Sequence, residues 1–234
     1  MSEWAAKRFW KNTEVVEADS GFAIALDGRS VNTPGKSKLI VPTRTMADRI
    51  AAEWDAQDEK IDPTTMPWTR SANSAIEKVA TQRGDVEDHL IGYADTDLLV
   101  YRADSPPELQ RRQSDAWDPV LAWIADKYGV GIRTTIGIMP VAQNAEELLV
   151  LKREMRDMSD FALTGFHDLV TLTGSYALAL SVAHGLNEAR AAWALSRVDE
   201  DWQIEQWGRD EEADAEAALK CAALLHATEF FQAA

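Results

Sequence analysis

SRVDEDWQIEQWGRDEEADAE, the stretch Ser196–Glu216, decides how the C-terminal half of the chain is interpreted. It contains nine acidic residues, two tryptophans and an isoleucine, and its pattern predicts a long helix over Glu188–Trp207 followed by the start of another. At about 100° per residue, that helix carries two apolar stripes on opposite sides. The stripes consist of Leu195, Val198 and Trp202, and of Trp193, Ile204 and Trp207.

Two apolar stripes on one helix leave two interpretations open. One stripe is enough to dock a surface helix on a core, so the second needs either more core or a partner. Asp201, Glu205 and Glu212 lie on one flank between the stripes, and Glu200 lies beside the Trp207 side. The helix is therefore either a core element with a solvated acidic flank or one wall of an acid-rimmed apolar groove for another protein.

The residues around this stretch predict an all-helical C-terminal domain. Helical patterns also cover residues 145–158, 160–172, 175–184 and 210–231, and only short links join them. Five such helices are typical of a bundle. We expect the boundary near Gly129, which divides the chain into domain 1–128 and domain 129–234.

The N-terminal half combines strand and helix signals. Short β-prone runs surround Asp27-Gly28, a strong two-residue hairpin signal, and Thr43 or Thr45 can cap a helix that runs to about Gln57. The apolar run Leu98–Tyr101 is predicted to be a strand that rejoins the N-terminal sheet. The fold class is therefore α+β: a β-meander sheet with packed helices, followed by the helical bundle.

Composition excludes several functional classes. The net charge of −15 over 234 residues argues against binding to nucleic acid or to anionic lipid, and it favours a dispersed monomer. Cys221 is the single cysteine, so no internal disulfide can form, and a reducing compartment is expected. No signal peptide, transit peptide or membrane-spanning run is recognisable, so we expect a soluble cytoplasmic protein without membrane insertion.

No catalytic constellation stands out. The chain has no Gly-rich phosphate loop, no nucleophile elbow and no HExxH motif, and its four histidines are scattered without metal-ligand spacing. We therefore expect no enzyme activity, no metal and no cofactor. With 39 acidic residues, a hydrolase or metal enzyme with a carboxylate site between helices stays open as the alternative. A scaffold for some other partner, using the same two-stripe helix, also stays open.

Four separate motifs resemble one known family, and they occur in the family's order. They are AAEWDAQ at 51–57, DTDLLVYR at 95–102, WDPVLAWIADKYGV at 117–130 and SRVDEDWQIEQWG at 196–208. The chain resembles the assembly chaperones of the ATP synthase catalytic head, F(1), that bind the isolated alpha subunit. The resemblance spans about Lys7 to Leu225. Mitochondrial members carry targeting extensions that this chain lacks, which favours a bacterial member.

The resemblance implies an ATP-independent chaperone without a catalytic centre. It would shield the surface of the alpha subunit that later meets the beta subunit, and release it as the ring forms. By resemblance, the role of the family's important acidic residues is carried onto Glu200, with Asp201 and Glu205 as further candidates. Ile204 and Trp207 are the candidates for apolar contact, and burial inside the bundle is the alternative for both.

Overall fold

The computed structural model describes residues 7–234, which form two compact units. Unit 1 contains residues 7–83 together with Ser159–Gly165 and Glu229–Ala234, and unit 2 contains Gly84–Met158 and Phe166–Thr228. A small N-terminal sheet with helices is followed by helical structure, which confirms the predicted α+β class. The boundary predicted near Gly129 separates domains that are expected to fold independently, and it stays a prediction.

Unit 1 is built on a four-stranded antiparallel sheet. The strands are β1 (Thr13–Ala18), β2 (Gly21–Leu26), β3 (Arg29–Ser30) and β4 (Ile40–Val41). Strand β2 pairs with each of the other three. Asp27 and Gly28 both have positive φ, at 47° and 76°, as a type I′ turn requires. The predicted hairpin at Asp27-Gly28 is confirmed.

Two helices complete the core of unit 1. Thr43 caps α1 (Arg44–Asp55) by accepting a hydrogen bond from the backbone N–H of Met46. Helix α2 (Pro67–Ser74) runs on into a π-helical turn over Ala75–Val79. The buried core consists mainly of Trp10, Ile24, Leu26, Leu39, Val41, Met46, Ile50, Trp68 and Phe230.

Helices make up most of unit 2, and α6 and α10 each contribute an end to unit 1. Their bounds are α3 (Arg83–Asp95), α4 (Pro107–Tyr128), α5 (Ala145–Lys152), α6 (Asp160–Thr173), α7 (Tyr176–Ala183), α8 (Ala189–Ser196), α9 (Val198–Trp207) and α10 (Glu211–Ala233). Helix α4 continues through Pro119. It ends at Gly129, whose φ of 68° is the left-handed conformation typical of a helix C-terminus.

The prediction that Leu98–Tyr101 is a strand of the N-terminal sheet was wrong. Leu98–Val100 forms a 3-10 turn, and only Tyr101–Arg102 is extended, as β5. Strand β5 pairs in parallel with β6 (Thr135–Ile136) in a separate two-stranded sheet. A short apolar run fits a buried turn as well as a buried strand, because both place consecutive side chains in a core.

The single helix predicted over Glu188–Trp207 is two helices. Arg197, with φ −113° and ψ 15°, separates α8 from α9. The backbone N–H of Arg197 bonds to the carbonyl of Ala194, which closes α8 with a tighter turn. One helical wheel therefore does not describe both halves of this stretch.

Asp97 joins two segments of unit 2 through a fully buried carboxylate. Its Oδ1 accepts hydrogen bonds from the Leu99 N–H at 3.0 Å and the Ser175 hydroxyl at 2.6 Å. Its Oδ2 accepts from the Ala177 N–H at 3.0 Å, in the first turn of α7. Burial raises the pKa of Asp97 to about 6, although these hydrogen bonds favour the charged form and oppose the shift.

We predict that Asp97 makes stability fall as pH rises from about 4 to 6. The unfolded carboxyl ionises near its usual pKa of 3.8, whereas the folded one holds its proton up to about pH 6. The stabilisation is thus fully present below the lower pKa and is lost as pH rises through the upper one, a change of roughly 3 kcal/mol. Urea unfolding of wild type and of Asp97→Asn from pH 4 to 7 checks this prediction. The free energy of unfolding of wild type should fall relative to that of Asp97→Asn as pH rises, and a constant difference between the two would contradict the prediction.

We also predict that Gly165→Ala destabilises unit 1. A Cβ at Gly165 in α6 would lie 2.9 Å from backbone atoms of Phe231 in α10, and backbone cannot move aside cheaply. Overpacking of this kind costs about 1–3 kcal/mol. Gly92→Ala in α3 is the control, since nothing lies near its Cβ, and it should gain about 0.5–1 kcal/mol. Equal effects of the two substitutions on thermal unfolding would show that the α6–α10 approach is not close.

Candidate functional site

Helix α9 is docked on α4 through buried polar contacts. The indole N–H of Trp117, a fully buried side chain in α4, donates to the Leu195 carbonyl at 2.8 Å, just before the break at Arg197. The amide of Gln113, also buried, donates to the Asp199 carboxylate at 2.7 Å in the first turn of α9. These bonds fix both the position and the rotation of α9 at its start.

Two of the predicted site carboxylates form ion pairs with arginines of the same chain. One guanidinium nitrogen of Arg112 in α4 lies 2.8 Å from both carboxylate oxygens of Glu205. Asp201 lies 3.8 Å from Arg197, one helical turn earlier. Both pairs are partly exposed, so each contributes about 0.2–1 kcal/mol. Glu205 and Asp201 are therefore already engaged within the chain, and Glu205 helps to hold α9 on α4.

The other side of α9 faces outward. At about 100° per residue, Glu200, Ile204 and Trp207 lie roughly opposite Val198, which is buried. Glu200 is exposed, Ile204 is half-buried, and Trp207 is 80% exposed. Of the two predicted apolar stripes, the one containing Val198 faces the core and the one ending at Trp207 does not.

A groove of about 340 Å³ lies between α9 and α10. Gly208, with φ 92°, lets the chain turn sharply after α9, and Asp210 starts α10 by accepting a hydrogen bond from the Ala213 N–H at 2.9 Å. The groove is lined by Arg197, Glu200, Gln203, Ile204, Trp207, Gly208, Asp210, Ala213, Asp214, Glu216, Ala217 and Lys220. Its lining therefore combines apolar and charged side chains.

Most of the charged side chains that line the groove have partners. Asp210 caps α10, Arg209 lies 3.2 Å from Asp214, and Lys220 lies 2.7 Å from Glu216. Within residues 7–234, the Glu200 side chain makes no hydrogen bond and no ion pair. Of the four carboxylates that line the groove, Glu200 is thus the one left unpaired in the described chain.

The sequence predicted side chains that lie on the outward face of α9, but not the side chains of α4 that orient this helix. Glu200, Ile204 and Trp207 were predicted as site residues, and they line the same groove. Arg112 and Gln113 were missed because they lie 93 and 86 residues away in sequence from their partners in α9. The WDPVLAWIADKYGV motif lies mostly in α4, and the SRVDEDWQIEQWG motif contains α9. The signal available in the sequence was that both segments resemble the same family.

A second cluster of titratable side chains bears on the enzyme alternative. His184 Nε2 lies 2.9 Å from the Tyr128 hydroxyl and 2.9 Å from Glu154 Oε2. Burial, together with the nearby Glu154 carboxylate, raises the pKa of Tyr128. A raised pKa makes the phenolate of Tyr128 even scarcer at neutral pH than that of an ordinary tyrosine, so its hydroxyl is present here as a hydrogen-bonding group.

Metal sites and membrane spans were also sought. Across the described part of the chain, no three His, Cys, Asp or Glu side chains are placed to bind a metal ion together. None of the helices within residues 7–234 has both the length and the apolar character to cross a membrane.

The chain matches known proteins over most of its length. The model of the ATP12 chaperone protein family matches residues 7–125. The chain is 26% identical over 219 residues to the protein atp12, mitochondrial, of Schizosaccharomyces pombe, covering 88% of this chain and 75% of that protein.

Three solved structures share the fold. A crystal structure of Atp12 from Paracoccus denitrificans is 48% identical, with a TM-score of 0.94 and coverage of 98% of this chain and 99% of that one. An aspartate-to-lysine mutant of the P. denitrificans protein has the same identity and TM-score and covers 99% of both chains. The Atu1473 protein of Agrobacterium tumefaciens is 38% identical, with a TM-score of 0.89 and coverage of 96% and 85%.

The exposure of the two stripes predicts different costs for two substitutions in α9. Val198→Ala removes buried apolar surface and should lower the free energy of unfolding by about 2 kcal/mol. Trp207→Ala removes a side chain that is mostly in water and should change it by less than about 0.5 kcal/mol. Chemical denaturation measures both. A larger loss for Trp207→Ala would place this tryptophan in the core.

Proposed function

The chain belongs to the ATP12 chaperone family, which acts in assembly of the ATP synthase F(1) sector, and from this premise we propose that it binds the free alpha subunit. It covers the surface of the alpha subunit that later contacts the beta subunit, and so prevents aggregation before the ring forms. The observation that carries this proposal is the outward face of α9, where Trp207 is 80% exposed above a charged groove.

An exposed apolar face with an acidic rim suits temporary protein binding. Trp207 and Ile204 offer apolar contact, and aromatic side chains often contribute most of the binding energy at interfaces. The surrounding carboxylates speed encounter with a complementary surface and favour exchange over permanent burial. An unassembled subunit exposes apolar surface that aggregates in water, so such a partner keeps it soluble.

The predicted site residues divide into two roles in this proposal. Glu200, Ile204 and Trp207 contact the alpha subunit directly, because they face outward on one side of α9. Asp201 and Glu205 belong to the same acidic surface, and their pairs with Arg197 and Arg112 also hold α9 in place.

The remaining expectations belong to the same proposal. The protein acts without ATP, metal or a catalytic centre, as a monomer when free, in the bacterial cytoplasm. The net charge of −15 opposes self-association at neutral pH.

Co-expression with the alpha subunit alone tests this function. We expect the alpha subunit to stay soluble and to elute with the chaperone as a one-to-one complex in size-exclusion chromatography, because its beta-facing surface is covered. The matched control is an Ile204→Asp/Trp207→Asp double variant, which keeps the contacts of α9 with α4 but removes the apolar face.

With that variant we expect the alpha subunit to move to the insoluble fraction. An alpha subunit that precipitates equally with and without the wild-type protein would contradict the proposed function. Equal capture by the double variant would contradict the assignment of the site to this face of α9.

A further inference from the structure

The groove between α9 and α10 has one carboxylate, Glu200, that no group of the described chain neutralises. We propose that an arginine of the partner enters the groove and pairs with Glu200, while an apolar residue of the same partner segment covers Ile204 and Trp207. The inference rests on the proposed function, since the partner is taken to be the alpha subunit. It adds the chemistry that the groove recognises.

Within residues 7–234, no cation that lines the groove pairs with Glu200. Arg197 and Lys220 line the groove, but Arg197 lies 3.8 Å from Asp201 and stacks 5.4 Å from the ring centre of Trp193. Lys220 lies 2.7 Å from Glu216. Both cations are therefore engaged with groups other than Glu200. A second copy is a poor source, because two chains of charge −15 repel each other.

The spacing of the lining residues sets the size of the binding element. Ile204 and Trp207 follow Glu200 by four and seven residues, so the three side chains run along one side of α9. Seven residues of helix span about 10 Å. An ion or a single small side chain does not cover that distance. The occupant is therefore a polypeptide segment with a cationic end and an apolar end.

Arginine fits this groove better than lysine. Its planar guanidinium can bond to both oxygens of a carboxylate, and its weaker hydration lowers the cost of entering an apolar groove. It also stacks on aromatic rings, and Trp207 is an exposed ring at the edge of the groove. An ammonium group on a lysine would keep more of its water and remain at the rim.

Charge variants of the full-length chain test the role of Glu200. We expect Glu200→Lys to weaken binding to the alpha subunit at least tenfold, and Glu200→Gln to weaken it less, as measured by titration at fixed ionic strength. Glu212→Lys is the matched control, because it changes net charge equally and lies on exposed surface outside the groove lining. It should stay within about twofold of wild type, since only long-range attraction is lost. Equal losses for the two lysine variants would contradict a specific pair at Glu200.

A charge swap tests the arginine. Each surface arginine and each surface lysine of the alpha subunit is replaced by glutamate in turn, and each variant is tested against wild type and against Glu200→Lys. We expect one arginine-to-glutamate variant to lose binding to wild type and to regain it with Glu200→Lys. Rescue by a lysine-to-glutamate variant instead, or by none, overturns the arginine assignment.

The proposed function and the arginine pairing can be disproved separately. If the wild-type protein captures no alpha subunit, the proposed function itself fails, and the arginine pairing fails with it. If wild type captures the alpha subunit and Glu200→Lys captures it equally well, the function stands and the arginine pairing is wrong.

Discussion

The outward face of α9 depends on a hydrogen bond between a buried indole and a backbone carbonyl. Trp117 in α4 bonds to Leu195 at the end of α8, immediately before the chain changes direction at Arg197. Losing this bond would leave a buried indole N–H unsatisfied, so the bond fixes where α9 begins. Gln113 and Arg112 then bind the same side of α9, so the helix cannot rotate without breaking polar contacts.

This docking separates two kinds of surface on a ten-residue helix. Toward α4 lie Val198 and the paired carboxylates, which stabilise the fold. Away from α4 lie Glu200, Ile204 and Trp207, which contribute little to folding because they are exposed or half-buried. An exposed tryptophan lowers solubility unless something covers it, and this is the physical reason for assigning the face to a partner.

Local signals in the sequence predicted much of the fold. Asp27-Gly28 predicted the hairpin, and the threonines at 43 and 45 predicted the start of α1, because turn and cap chemistry is local. The break at Arg197 was not predictable, since no Gly or Pro marks it and it arises from packing against α4. Leu98–Tyr101 was misassigned because its buried turn is capped by Asp97, whose other partners lie about 80 residues away.

The sequence predicted only some residues of the candidate site, because periodicity is a local signal and contacts between distant helices are not. The periodicity of Ile204 and Trp207 marked an apolar stripe, but only tertiary contacts decide which of two stripes meets the core. Likewise, the nine carboxylates of Ser196–Glu216 are equivalent in sequence. Pairing by Arg112, Arg209 and Lys220 distinguishes them in the folded chain and leaves Glu200 unpaired among the groove carboxylates.

Site-specific photo-cross-linking measures the central claim, that this face covers another polypeptide, most directly. Benzoylphenylalanine would be placed at residue 207 and, as a control, at residue 9, where an exposed phenylalanine lies in unit 1. The account predicts a covalent adduct with the alpha subunit from residue 207 and little from residue 9. An intact complex that cross-links from residue 9 but not from residue 207 would contradict it.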